Sequence, residues 1–264
     1  MRTAIQFMTF ALLFSLNTFG GEDWAKAKLE KSPRHGEWVK IPQGQRTLQA
    51  FVVYPEVKDK ATAVVVIHEI FGMSDWVKLT ADELAEAGFI AIAPDLLSGM
   101  GEGGGGTDKV KDVRKGIGDL PPDQITADLN ACVEYVSKLP AANGKVAACG
   151  FCWGGGQVFR FATNNKTIKA ACAFYGDFAK KPEDLAKIAA PVYGFYAEKD
   201  ARITTSVKAT TEMMKTAGKT YEPVVYAGAG HGFMRMGEAP DAGADNKKAR
   251  EDAWKRFVDI VKKL

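Results

Sequence analysis

The chain has 264 residues, 46% of them hydrophobic and 25% charged, with a net charge of +3. That length suits one well-filled domain, and those fractions are those of an ordinary globular protein. A charge this small and evenly spread gives no footing for nucleic acid, and the basic residues of the closing segment (Lys247, Lys248, Arg250, Lys255, Arg256, Lys262, Lys263) alternate with acidic ones as on a solvated helix face.

Met1-Arg2 is followed by a mostly apolar run, Ala4 to Phe19, and then by small residues at Gly20 and Gly21. Residues 1–21 read as a secretory signal peptide, which makes the protein exported, periplasmic or secreted. The run is too short and too interrupted, at Gln6, Thr9, Ser15 and Asn17, for a membrane span. No cysteine marks a lipid anchor at the cleavage point, so no stable membrane anchor is expected. The alternative for the same residues is a loose amphipathic helix. Residues 22–264 then form a single domain.

Glu22 to Pro33 is charged and reads as a loosely attached arm. Trp38 to Ile41 and Leu48 to Tyr54, on either side of a turn at Pro42 to Gln45, alternate as two antiparallel strands. Ala63 to Ile67 is a continuous β-branched run suited to a strand buried on both faces of a parallel sheet, and it ends in the polar stretch His68-Glu69-Ile70-Phe71-Gly72. Val77 to Ala87 has helical spacing stopped by Gly88, and Phe89 to Ala93 is the next strand. Gly99 to Gly106 lacks both the Lys-Ser/Thr of a phosphate-binding loop and the spaced glycines of a dinucleotide turn, so it reads as a flexible surface loop and no cofactor is implied. Pro122 to Leu139 is a helix with proline at its start.

Lys145 to Gly156 organises the rest. An apolar strand ends in Gly150-Phe151-Cys152-Trp153-Gly154-Gly155, and a helical segment (Gln157 to Thr163) follows at once. Strand, sharp turn and helix are the setting of a nucleophile elbow, with Cys152 where serine is commoner. A helix N-terminus behind the thiol is expected to lower its pKa and favour thiolate. Strands at Ala170 to Tyr175, Val192 to Ala197 and Glu222 to Tyr226 alternate with helices at Glu183 to Ile188, Thr204 to Ala217 and Asp245 to Leu264. The pattern predicts an α/β fold: a mostly parallel, doubly wound sheet opened by an antiparallel strand pair.

Two further strand ends carry Glu198-Lys199-Asp200 and Gly228 to Phe233 around His231. Nucleophile, acid, histidine is the chain order of an α/β-hydrolase triad. Cys152 attacks an acyl carbon, His231 moves the proton, and Asp200, with Glu198 as a rival, orients the ring. Of the other two histidines, His35 lies in the early arm and His68 beside Glu69. Trp153, Phe71, Phe233 and Tyr175 read as shaping an apolar pocket.

The elbow, Glu69-Ile70-Phe71-Gly72 and Gly230-His231-Gly232-Phe233 together resemble the dienelactone hydrolase family, from about Trp38 to the C-terminus. The resemblance implies an α/β-hydrolase fold and a Cys152, Asp200, His231 triad. It implies that Glu69 interacts with the resting thiol and swings away when an anionic substrate arrives. The Ile70 and Trp153 amides become the oxyanion hole. Arg235 matches an arginine that holds a substrate carboxylate, with Arg114 the nearest candidate for a second. The implied substrate is a small ester or lactone, with no cofactor and no metal, for a monomer or small homo-oligomer.

Other readings stay open. A broad carboxylesterase would act on neutral esters in the same fold. Cys149 and Cys152 form a C-x-x-C, the pattern of a thiol–disulfide oxidoreductase, although three glycines after Cys152 suit an elbow better. A binding protein on an inactivated hydrolase scaffold is a third. The four cysteines, Cys132, Cys149, Cys152 and Cys172, permit disulfides in an oxidising compartment; buried, inert thiols at Cys132, Cys149 and Cys172 are the expectation.

Overall fold

A computed structural model describes residues 22–178 and 181–264. The proposed signal peptide, residues 1–21, lies outside the described residues.

Eight strands form one sheet: β1 (Gly36–Gln43), β2 (Arg46–Val53), β3 (Ala61–Ile67), β4 (Ile90–Asp95), β5 (Ala142–Phe151), β6 (Ala170–Phe174), β7 (Val192–Ala197) and β8 (Tyr221–Tyr226). Their spatial order is β1-β2-β4-β3-β5-β6-β7-β8. β1 pairs antiparallel with β2, and β2 with β4; every later pairing is parallel. The antiparallel pair and parallel body are those expected from the sequence. The apolar run at β3 is buried at every position because it lies at the middle of the sheet, covered on both faces.

The helices are α1 (Asp23–Leu29), α2 (Asp75–Glu86), α3 (Val113–Asp119), α4 (Pro122–Ser137), α5 (Trp153–Asn164), α6 (Pro182–Leu185), α7 (Ala201–Thr204), α8 (Val207–Thr216), α9 (Phe233–Met236) and α10 (Ala244–Lys262). Alternation along the central strands sorts the core into two layers. Val65, Ile67, Val146 and Ala148 pack with residues of α4, α5 and α8, such as Leu129, Phe159 and Met214. Val64, Val66, Ala147 and Cys149 pack with α2 and α10 through Trp76, Leu84, Ala253 and Phe257. Phe174 stacks on Phe195 at 4.1 Å between centroids and meets Phe257 edge-on. Each such buried ring contributes roughly 1.5–3 kcal/mol through removal from water.

Several local expectations are corrected. The Glu22–Pro33 segment is docked, not loose: α1 buries Ala25, Lys28 Nζ meets Glu238 at 2.8 Å, and Arg34 Nη2 meets Asp82 at 2.6 Å. Charge there marks ion pairing across a seam, which composition alone does not distinguish from solvation. The helix expected over 204–217 begins only at Val207 as α8, and a separate short turn, α7, precedes it directly after Asp200. α3 and α9 were not expected; each is a turn or two long, too short for periodicity to register.

β3 lies between β4 and β5, so the chain leaves its carboxyl end in one direction and later returns on the other. This is the reversal point at which open α/β sheets form their crevice. Glu69 and Ile70 follow β3; Cys152 follows β5.

Candidate active site

Cys152 sits between β5 and α5 with φ 54° and ψ −117°, a conformation that L-residues avoid. The turn is held by Cys152 N–H donating to the Phe174 carbonyl at 3.0 Å and Gly156 N–H donating to the Cys152 carbonyl at 3.2 Å. Gly150 and Gly154 are required by close approach: a Cβ on Gly150 would strike the Gly154 carbonyl, and one on Gly154 the carbonyls of Ile67 and His68. The bend thus fits only where strand and helix backbones touch.

His231 lies in the loop after β8. Its Nε2 is 3.1 Å from Cys152 Sγ, and its Nδ1 is 2.5 Å from Asp200 Oδ2. Asp200, at the end of β7, is almost fully buried, while His231 keeps about a third of its side chain exposed. Glu198 is engaged elsewhere, its carboxylate accepting the Gly228 N–H at 2.8 Å and steadying the loop that carries His231. The structure therefore brings Cys152, His231 and Asp200 into one line and leaves Glu198 out of it.

The thiol is held above its ordinary pKa, the reverse of what the helix N-terminus alone predicts. Burial is the main cause and the Glu69 charge the next; the Trp153 backbone N–H and Arg202 pull the other way without prevailing. Burial thus favours the thiol form of the resting sulfur, which lies within hydrogen-bonding distance of His231 Nε2.

Glu69 does not bond Cys152 here. Its Oε2 accepts Arg235 Nε–H at 3.0 Å, with Glu22 3.9 Å from the same guanidinium. Burial pushes Glu69 up to about 7, against the attraction of Arg235. Arg114 is exposed and Arg235 is partly buried, and both guanidiniums lie over the Phe71 ring at 5.2 Å. Arg235, which the resemblance matches, and Arg114, which it aligns only loosely, thus both lie against the same aromatic ring.

His68 had no assigned part. It is fully buried, its ring stacks on Trp153 at 5.5 Å, and its Nδ1 lies 2.8 Å from the Glu69 carbonyl. A carbonyl only accepts, so Nδ1 carries the proton. Burial holds the ring below its usual pKa and hence neutral. Gly72 N–H donates to the same carbonyl at 3.2 Å. Because the peptide unit is planar and trans, fixing the Glu69 C=O also fixes the Ile70 N–H on its opposite edge.

The cleft beside Cys152, of about 760 Å³, is lined by Ile70, Trp153, Gln157, Arg160, Tyr175 and Arg202 among others. Tyr175 is wholly buried with its ring edge-on to His231 at 5.1 Å. Phe233 was expected at the pocket but is fully buried behind Tyr175, 5.2 Å away, and Phe71 lies off the cleft between the two arginines. Aromatic type at a strand end does not say on which side of the backbone the ring falls. Gln157 and Arg202 were not singled out; an unremarkable helix glutamine and an arginine two residues past the acid give no motif.

Cys132, Cys149 and Cys172 are buried free thiols, and Cys149 and Cys172 face each other across β5 and β6. Burial raises all three pKa values. Among the described residues no cluster of His, Cys, Asp and Glu is arranged to hold a metal.

An open, mostly parallel sheet with a strained cysteine on the turn after its central strand, a histidine against the sulfur and a buried aspartate against the histidine define an α/β-hydrolase. Residues 48–264 match the dienelactone hydrolase family model. The chain belongs to the dienelactone hydrolase family and is a hydrolase of that type. It is 31% identical over 232 residues, 84% of this chain and 78% of the other, to a protein of Methylorubrum extorquens provisionally named carboxymethylenebutenolidase. A Bradyrhizobium protein provisionally named 2-oxo-3-(5-oxofuran-2-ylidene)propanoate lactonase is 28% identical over 209 residues, 75% of this chain and 83% of its own. Among solved structures, a provisionally named dienelactone hydrolase of Klebsiella pneumoniae superposes with a TM-score of 0.76 at 26% identity, covering 88% of this chain and 99% of the other.

Proposed function

We propose that the protein hydrolyses a small ester or lactone through an acyl-thioester on Cys152. The single observation that carries this is the contact of His231 Nε2 with Cys152 Sγ at 3.1 Å, backed by Asp200 on the far side of the ring. The thiol proton passes to Nε2 as the sulfur attacks the acyl carbon; the imidazolium then protonates the leaving oxygen, and water releases the acid by the reverse sequence. Asp200 holds Nδ1–H so that Nε2 is free to accept. The Ile70 and Trp153 N–H groups receive the oxygen that becomes negative, the first through a peptide clamped by His68.

An ester or lactone is also what the relatives' names describe, and lactones with a carboxylate fit the paired arginines over Phe71. In the resting arrangement Glu69 neutralises Arg235, so a substrate anion at that arginine has to displace a carboxylate. The displaced charge would no longer bear on the thiol in the same way. A neutral-ester specificity is the alternative, and the Glu69–Arg235 pair favours it.

The C-x-x-C redox alternative has less support: Cys149 is a β-strand residue sealed in the core layer, whereas Cys152 faces the cleft. Export rests on residues 1–21 alone; among the described residues no helix is long and apolar enough to cross a membrane.

The decisive experiment is trapping. Incubation with activated esters and lactones, followed by intact-mass and peptide analysis, is expected to give an acyl adduct on Cys152. Acylation elsewhere, or turnover undiminished in Cys152→Ala, would overturn the mechanism.

A further inference from the structure

Glu22 and α1 precede the residues that match the family, yet they are built into the surroundings of the nucleophile. Glu22 keeps only a fifth of its side chain exposed. Its Oε2 accepts the Trp76 N–H at 3.3 Å, in the first turn of α2. Its Oε1 lies 3.9 Å from Arg235 Nε, the same nitrogen whose N–H Glu69 accepts at 3.0 Å. One guanidinium nitrogen thus faces two carboxylates, one from the loop after β3 and one from the N-terminal segment. A second contact, of opposite sign, fixes the same segment to the end of α9. Lys28, near the far end of α1, meets Glu238 at 2.8 Å and Glu83 at 3.4 Å, and Glu238 stands three residues beyond Arg235. Trp76 joins the two contacts, since its indole N–H donates to Glu238 at 3.0 Å. Arg250 of α10 completes this cluster by bonding Glu83. Ala25, between Glu22 and Lys28, is fully buried, so packing as well as charge seats the segment.

A carboxylate seated beside another carboxylate's counter-ion has a definite effect. It competes for the cation and repels the charge that the cation would stabilise. Burial raises the Glu69 carboxyl most, Arg235 draws it down, and Glu22 raises it again. After burial, the Glu69 charge is what most raises the Cys152 thiol. The groups that face Glu69 are Arg235 from α9, Glu22 from the N-terminal segment, and Cys152 and Tyr175 from the site itself.

We propose that Glu22 is a positioning residue of the active site: by sharing Arg235 it weakens that arginine's hold on the Glu69 carboxylate, and so favours neutral Glu69 while Cys152 ionises. Lys28 supports it by tying α1 to Glu238. The N-terminal segment thereby acts on the nucleophile through two intermediaries, Arg235 and Glu69, without touching the sulfur. For its bearing on turnover, this assignment rests on the proposed role of Cys152 as the nucleophile.

The test is the rate of Cys152 alkylation by iodoacetamide, a neutral reagent, followed by peptide mass analysis across pH in the full chain. Glu22→Gln keeps an oxygen for the Trp76 N–H and removes the charge. It is expected to slow alkylation about two- to threefold near pH 7, because Glu69 is then ionised more fully. The difference should vanish above about pH 8.5, where Glu69 is ionised in both proteins. The sign is diagnostic, since loss of a negative charge acting directly on the sulfur would speed the reaction. Lys28→Met should slow alkylation by a smaller factor, and Lys28→Arg should restore it. In a Glu69→Gln background, Glu22→Gln should no longer slow the reaction. A rate near pH 7 that is unchanged or faster in Glu22→Gln, or a slowing that persists without Glu69, would overturn the assignment. Failure of the hydrolytic mechanism looks different: alkylation would respond as expected while no ester left an acyl group on Cys152.

Discussion

Arg235 Nε–H donates to Glu69 Oε2 at 3.0 Å, so the loops after β3 and β8 are joined by an almost wholly buried carboxylate. The same carboxylate is second only to burial in raising the Cys152 thiol. One ion pair therefore touches loop geometry, stability and the readiness of the nucleophile, and its consequences are separable by measurement.

For the nucleophile, Glu69→Gln removes a negative charge that disfavours thiolate. The pH midpoint of Cys152 alkylation by iodoacetamide is expected to move down relative to wild type. A midpoint that stays in place or rises would mean that Glu69 does not act on the sulfur.

For stability, the folded Glu69 titrates at about 7 against an ordinary value of 4.5. Between those values the folded chain binds more protons than the unfolded chain, so this group's contribution is full below about pH 4.5 and is lost as pH rises through about 7. Relative to Glu69→Gln, wild type should lose about 3 kcal/mol between those limits. Parallel pH profiles of denaturant midpoints for the two proteins would remove Glu69 as the cause.

The two cysteines of the C-x-x-C should separate cleanly. Cys152→Ser retains the fold, because serine is close in size, but loses at least about a hundredfold in ester turnover, since an alkoxide is harder to form than a thiolate. Cys149→Ser places a hydroxyl in an apolar layer and is expected to lower Tm with turnover retained. Loss of all activity in Cys149→Ser at a temperature where it is folded would instead favour thiol–disulfide chemistry.

His68→Phe keeps a ring to stack on Trp153 but removes the donor to the Glu69 carbonyl. The Ile70 N–H then loses its fixed direction, and kcat is expected to fall about ten- to a hundredfold with little change in KM, since the contact strengthens only as charge develops on oxygen. His68→Asn, which can still donate, should recover part of that loss. Equal kcat in wild type and His68→Phe would show that the clamp does not matter for the chemistry.

Much of this protein was legible in the chain. The continuous β-branched run at β3 marked a strand buried in a parallel sheet, and Gly150, Gly154 and Gly155 fixed the bend at Cys152, because only glycine tolerates that contact between backbones. The order of Cys152, Asp200 and His231 along the chain indicated which strand ends would meet. These are local or ordinal properties, carried by residue type and spacing.

What the chain could not state is pairing between side chains far apart in sequence. Glu69 and Arg235 are separated by 166 positions, and only the packing of two loops makes the arginine a partner of that carboxylate. The direction of the thiol pKa and the docking of the N-terminal segment by Lys28 and Arg34 likewise depend on burial and on which charges stand near. Residue type fixes the chemistry a group can perform; distance and solvent exclusion, which exist only in the folded molecule, decide the charge it carries and the partner it serves.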